Sequence, residues 1–244
     1  MGILDEAVDI KTLGQHNLWA IYGKSGSGKT KLASTFPKPM LYLRIGDDGS
    51  NTIANEEGIS AIVVKDMGHL KELAKALIKD KSYASVVVDT FGMITNEWQD
   101  ENVIQKKKKM TQQTWGDLKV DTEEFIRLFH KVSRKHCVVL TCHETTDIVE
   151  GMEDEILPDI RPSVTKGART YLEGMCNYGI HTLKITKEVT DSEGVSSEVV
   201  KYAAELGANA YYWTKLQIDS SIKLPKRVIN PSYAKFIKLI GGNK

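Results

Sequence analysis

Gly23-Lys24-Ser25-Gly26-Ser27-Gly28-Lys29-Thr30 stands directly behind the strand-like run Leu18-Trp19-Ala20-Ile21-Tyr22. Its spacing, G-x-x-x-x-G-K-[ST], decides the fold: a strand, a glycine loop and a helix in this order cradle the phosphates of a nucleoside triphosphate. The glycines let the backbone turn tightly and aim its N–H groups inward, and the helix N-terminus adds its positive dipole end. Lys29 is placed to reach the β- and γ-phosphates, and the Thr30 hydroxyl to ligate Mg²⁺. The set expected to touch ATP is therefore Gly23, Lys24, Ser25, Gly26, Ser27, Gly28, Lys29, Thr30 and Lys31. A Gly/Ser-rich surface turn is the bland alternative, and the strand before and amphipathic 30–35 after argue against it.

Outward from this loop, strand and helix signals alternate, which favours an α/β fold with a largely parallel sheet. Pro39-Met40-Leu41-Tyr42-Leu43-Arg44-Ile45 reads as a second strand and Ser60-Ala61-Ile62-Val63-Val64 as a third. Leu70, Leu73, Ala74, Leu77 and Ile78 recur at helical spacing over 68–79. Ser85-Val86-Val87-Val88-Asp89 is the continuously apolar run of a central strand covered on both faces. Residues 91–104 and 117–134 read as helices, with Cys137-Val138-Val139-Leu140-Thr141 as the next strand. Residues 144–168 are polar, without sustained periodicity, and predict a long loop. Beyond them, 178–187 and 199–204 flank a hairpin turn at 190–194. Residues 210–218 read as a strand, 223–228 as a connection containing Pro225, and 232–240 as a closing helix. Without internal repeats or a clear linker, 1–244 is expected to form one domain, with 175–244 as an antiparallel C-terminal extension.

The 244 residues suffice for a well-buried core, and 41% apolar with 27% charged content is ordinary for a soluble protein. A formal net charge of +1 gives no global attraction to nucleic acid or membrane. No apolar run approaches a membrane span, and Met1-Gly2-Ile3-Leu4-Asp5-Glu6 lacks the features of a secretory signal or a myristoylation motif. Cys137, Cys142 and Cys176 are odd in number and lack metal spacing, which points to a reducing, cytoplasmic setting.

Asp89 ends an apolar strand downstream of the phosphate loop, where a P-loop ATPase places the carboxylate that holds Mg²⁺. Such an Asp also serves as a helix N-cap. Hydrolysis further needs a group to orient or deprotonate water. Asp47 and Asp48 are the best placed by sequence, although Gly46-Asp47-Asp48-Gly49 is equally turn chemistry; Glu97 and Glu144 are weaker substitutes. His143 follows its strand where a polar side chain can touch the γ-phosphate and pass its loss into 144–168. A surface or structural His is the alternative.

In order along almost the whole chain stand Tyr22-Gly23-Lys24-Ser25-Gly26-Ser27-Gly28-Lys29-Thr30, Thr35-Phe36-Pro37-Lys38-Pro39-Met40, Val86-Val87-Val88-Asp89-Thr90, Thr114-Trp115-Gly116-Asp117, Val138-Val139-Leu140-Thr141-Cys142-His143 and Leu224-Pro225. This set resembles the RecA-like ATPases, and within them the short phage-type AAA-family proteins that include single-strand annealing and recombination ATPases. The resemblance implies a RecA-like P-loop NTPase core with helices on both faces of the sheet. It implies ATP shared between subunits of a homo-oligomeric ring or filament, and DNA-binding loops at about 98–115 and 144–168. A single-strand-binding protein is an implied partner, and the cytoplasm of a bacterial host the implied location. The chain departs from the family in two places. Arg44-Ile45-Gly46-Asp47 replaces an acidic Asp-Thr-Glu-Gly run, so the family's glutamate is missing. The paired lysines that reach a neighbour's ATP have no clear match, with Lys215, Lys223 and Arg169 as substitutes.

Lys106, Lys107, Lys108 and Lys109 lie between Trp98 and Trp115. Four consecutive lysines cannot share one helix face, so they predict a loop or a fraying helix end, a segment able to track a phosphate backbone while an aromatic ring stacks on bases. A solvated charge run beside core tryptophans is the alternative. Lys166 and Arg169 are further DNA candidates, although Glu150, Glu153, Asp154, Glu155 and Asp159 would repel phosphate. A small-molecule kinase would need an arginine lid, for which this chain offers only Arg161 and Arg169. A nucleotide-gated scaffold with little turnover fits the missing glutamate.

Overall fold

The computed structural model describes residues 7, 16–46, 49–150, 156–190, 196–207, 209 and 211–241. Its strands are β1 (Leu18–Tyr22), β2 (Met40–Arg44), β3 (Ile59–Val63), β4 (Ser85–Asp89), β5 (Cys137–Cys142), β6 (Glu144–Glu150), β7 (Ile156–Pro162), β8 (Tyr178–Thr190), β9 (Ser196–Glu205), β10 (Lys215–Leu216) and β11 (Arg227–Ile229). The helices are α1 (Lys29–Ala33), α2 (Met67–Leu77), α3 (Ile94–Gln99), α4 (Gln112–Val132), α5 (Lys166–Met175) and α6 (Tyr233–Leu239).

The main sheet runs β11-β9-β8-β1-β5-β4-β2-β3, with β10 also paired to β8. Strands β3, β2, β4, β5, β1 and β8 are mutually parallel, and β9, β10 and β11 join antiparallel. This is the α/β class expected from the alternation of signals, and it is consistent with a P-loop NTPase core.

Strand periodicity divides the apolar residues between two faces. Leu18, Ala20 and Tyr22 pack with residues of α2, α3, α4 and α5, whereas Trp19 and Ile21 pack with α1 and α6. Covering both faces explains why β1, β4 and β5 read as unbroken apolar runs rather than alternating ones. Cys137, Cys142 and Cys176 are buried free thiols, and burial pushes those of Cys137 and Cys142 up to about 12. They act as small hydrophobes. No helix among the described residues is long and apolar enough to cross a membrane.

Four sequence expectations need correction. Residues 144–168 are not a loop: β6 and β7 form a separate antiparallel hairpin, paired from Glu144↔Pro162 to Glu150↔Ile156, and α5 starts at Lys166. Thr145, Thr146, Ile148 and Val149 supply β-branched residues that suit a strand without apolar alternation. Helix α4 starts at Gln112 rather than 117, because Thr111 accepts from the Thr114 N–H in a capping box. Within 210–218 the described strand is only Lys215–Leu216. The 91–104 helix is also subdivided, α3 passing into a π-helical turn at Asp100–Ile104.

Candidate nucleotide site

Parallel pairing brings the C-terminal ends of β1, β4, β5 and β8 to one edge of the sheet, where ligands of open α/β sheets bind. Strand β5 separates β1 from β4, so the glycine loop after Tyr22 faces Asp89 across the end of β5. Gly28 at the start of α1 has φ +91°, a left-handed conformation that favours glycine. At Gly23 a Cβ would lie 2.3 Å from the Thr182 carbonyl oxygen of β8, so the loop is seated directly on the neighbouring strand.

Lys29 is 6% exposed, and its Nζ donates to the carbonyls of Gly23 and Lys24, each at 2.9 Å. Burial lowers its pKa, and the Asp89 charge opposes that shift. The Lys29 amino group is turned onto the carbonyls of the loop itself. Thr30 Oγ1 donates to Asp89 Oδ2 at 2.7 Å, and the Tyr42 hydroxyl donates to the same oxygen at 2.6 Å. Asp89 Oδ1 accepts from Thr90 at 3.0 Å and from Thr141. The carboxylate is 1% exposed, and these hydroxyls satisfy it from α1, β2, β5 and the next residue in the chain.

A cavity of about 300 Å³ is lined by Lys29, Thr30, Gly49, Asp89, Thr90 and His143, together with Ser25 and Gly26. The Thr30 hydroxyl and Asp89 carboxylate are hard oxygen donors, a set that fits Mg²⁺ held by one or two protein groups and substrate phosphates. Among the described residues no cluster of three His, Cys, Asp or Glu forms an all-protein metal cage. Burial, and then the Lys29 charge, lower the His143 pKa and favour the neutral imidazole. His143 therefore offers hydrogen bonding rather than charge to a group in this cavity.

The other sequence candidates fall in different places. Lys24, Ser25 and Ser27 line an adjoining cavity of about 350 Å³, and Lys31 pairs with Glu56 at 2.5 Å. Asp47 and Asp48 lie outside the described residues. Glu97 approaches Gly46, whose Cβ would lie 3.4 Å from Glu97 Oε1. Glu144 instead accepts from the buried His181 at 2.8 Å. Lys106, Lys107, Lys108, Lys109 and Lys166 are exposed and line neither cavity. Arg169 pairs with Asp147 at 2.5 Å, and Lys215 donates to the Glu173 and Gly174 carbonyls at the end of α5.

Sequence reasoning missed Tyr42, Thr90 and Thr141 as holders of Asp89. Thr141, a polar residue inside the apolar run of β5, was the available signal.

A family model described as an AAA domain matches residues 16–210. The chain belongs to the AAA domain family. Comparison with curated proteins gave no match. Membership in the AAA family places the chain among P-loop-type ATPase domains, and the loop, Lys29, Thr30 and Asp89 all fall inside the matched stretch. The AAA domain thus brings a glycine loop and a buried carboxylate to one edge of the sheet.

Proposed function

We propose that this AAA domain binds ATP with Mg²⁺, hydrolyses it, and acts on single-stranded DNA as a phage-type recombination protein that promotes annealing or strand exchange. One observation carries the nucleotide half: Lys29, Thr30 and Asp89 converge on a single cavity, with Thr30 and Asp89 in direct contact. Lys29 neutralises the γ-phosphate, and Thr30 with Asp89 holds the cation. A basic residue from a neighbouring subunit of a ring or filament completes the site, so the isolated chain turns over slowly, as other P-loop enzymes completed in trans do.

The DNA half is supported by chain path. The segment that leaves β4 after Asp89 reaches the four lysines, which are exposed, with Trp115 48% exposed on the first turn of α4. The hairpin β6–β7 likewise follows His143 directly. Both candidate DNA segments, about 98–115 and 144–168, thus lie downstream of residues that line the phosphate cavity. The deciding experiment is ATPase rate with and without single-stranded DNA, in wild type and Lys29→Ala. DNA stimulation that depends on Lys29 supports the reading, and turnover only with a small phosphate acceptor refutes it. Replacing all four lysines should also flatten the log K versus log[salt] slope for DNA by about 3 units, from roughly 0.7 per contact.

A second reading is favoured by one feature. Arg44-Ile45-Gly46-Asp47 stands where the resemblance implies an acidic run with a glutamate. A nucleotide-gated scaffold would show tight ATP binding without turnover in the same assay.

A further inference from the structure

Thr30 and Asp89 mark where the cation and the terminal phosphates would sit, and the space for a nucleoside continues from that cavity past the start of α1. Two cavities continue there. One, of about 250 Å³, shares Gly26, Lys29, Thr30 and Gly49 with the phosphate cavity and extends past Gly28 to Thr52 and Tyr202. The next, of about 170 Å³, runs past Lys31 and Thr35 to Tyr202, Asn230 and Pro231. Tyr202 is common to both.

Tyr202 stands on β9 opposite Lys184 of β8, and its ring lies against the phosphate loop: a Cβ on Gly28 would be 2.8 Å from Tyr202 Cδ1. The ring is nonetheless 42% exposed. The backbone holds the surrounding wall in place. The Asn230 N–H donates to the Tyr202 carbonyl at 2.7 Å, with Asn230 at φ +47°. The Tyr233 N–H donates to Thr35 Oγ1 at 2.9 Å, which ties this C-terminal segment to α1. An aromatic ring at the end of a phosphate cradle, faced by an amide side chain and a proline, suits a flat heteroaromatic group.

We propose that Tyr202 stacks on the nucleobase of the bound nucleotide, with Asn230 and Pro231 as the far wall of that pocket. The inference rests on the phosphate-loop reading above and adds the half of the ligand that reading leaves unplaced. Asn230 and Pro231 lie beyond the 16–210 stretch matched by the AAA family model, so this wall comes from the chain's own C-terminal segment.

Calorimetric titration of ATP and of inorganic tripolyphosphate, both with Mg²⁺, into wild type, Tyr202→Ala and Tyr202→Phe separates the two claims. Tyr202→Ala should weaken ATP roughly tenfold, the scale of losing one base–aromatic stack. It should leave tripolyphosphate affinity unchanged, and Tyr202→Phe should retain ATP. Tyr202→Ala binding ATP as tightly as wild type overturns the proposal, as does an equal loss of both ligands. Wild type that binds tripolyphosphate as tightly as ATP removes the base pocket and leaves the phosphate loop standing. Wild type that binds neither ligand removes both.

Discussion

Asp89→Asn is the perturbation that most directly probes how the site is built. The buried carboxylate accepts from Thr30 and Tyr42 on one oxygen and from Thr90 and Thr141 on the other. Asparagine keeps the shape but accepts on a single oxygen, so two of the four hydroxyls meet an amide N–H₂ and must turn to accept. A hydrogen bond to a charged group contributes about 1.5–3 kcal/mol, against about 1 kcal/mol for a neutral pair. Two bonds reversed and two weakened amount to a loss of roughly 3 kcal/mol. Removing a charge from the interior returns part of that, for a net destabilisation of about 2 kcal/mol. At this chain length such a loss lowers the thermal midpoint by about 4–8 °C. Thermal and urea unfolding without nucleotide measure it, and Tyr42→Phe, which deletes one donor without touching the charge, should cost about half as much. An asparagine variant as stable as wild type would refute the reasoning, because the hydroxyl cage would then contribute nothing.

Gly23→Ala should destabilise by about 1–3 kcal/mol, since the new Cβ meets the backbone of β8 and the strand cannot yield as a side chain would; an unchanged urea midpoint would contradict this. Stability should also fall in mild acid. Burial lowers the pKa values of His143 and His181, and burial with the neighbouring His16 pushes His130 down to about 4. The unfolded chain takes up protons first at these positions, so their contribution is complete above about pH 6.5 and is lost as the pH falls toward the folded values. The melting midpoint should therefore be lower at about pH 5 than at about pH 7.5, and the opposite order would contradict the sign.

What the sequence reveals follows the range of the interaction. The glycine loop and its helix are contiguous, and Asp89 closes a run whose unbroken apolar character marks a central strand, so both are legible from local pattern. The holders of Asp89 are not. Tyr42 and Thr141 reach it from β2 and β5, and only strand order makes them neighbours, whereas Thr90 is simply the next residue in the chain. The segment 144–168 misleads for a related reason. Among its described residues Asp147 pairs with Arg169, and Arg161 with Asp159 and Glu173, so part of its polarity reflects ion pairs within the fold. Tyr202 carries no local signal, because its place beside Gly28 depends on β8 lying next to β1.

The central claim is that residues 23–30 hold a nucleotide through Lys29. Calorimetric titration of ATP with Mg²⁺ into wild type and Lys29→Ala tests it most directly. Saturable binding by wild type, weakened roughly 10- to 100-fold in the variant, is the predicted result, on the scale of a lost charge-assisted hydrogen bond. Equal affinity in the two proteins, or no binding by a folded wild type, would contradict it.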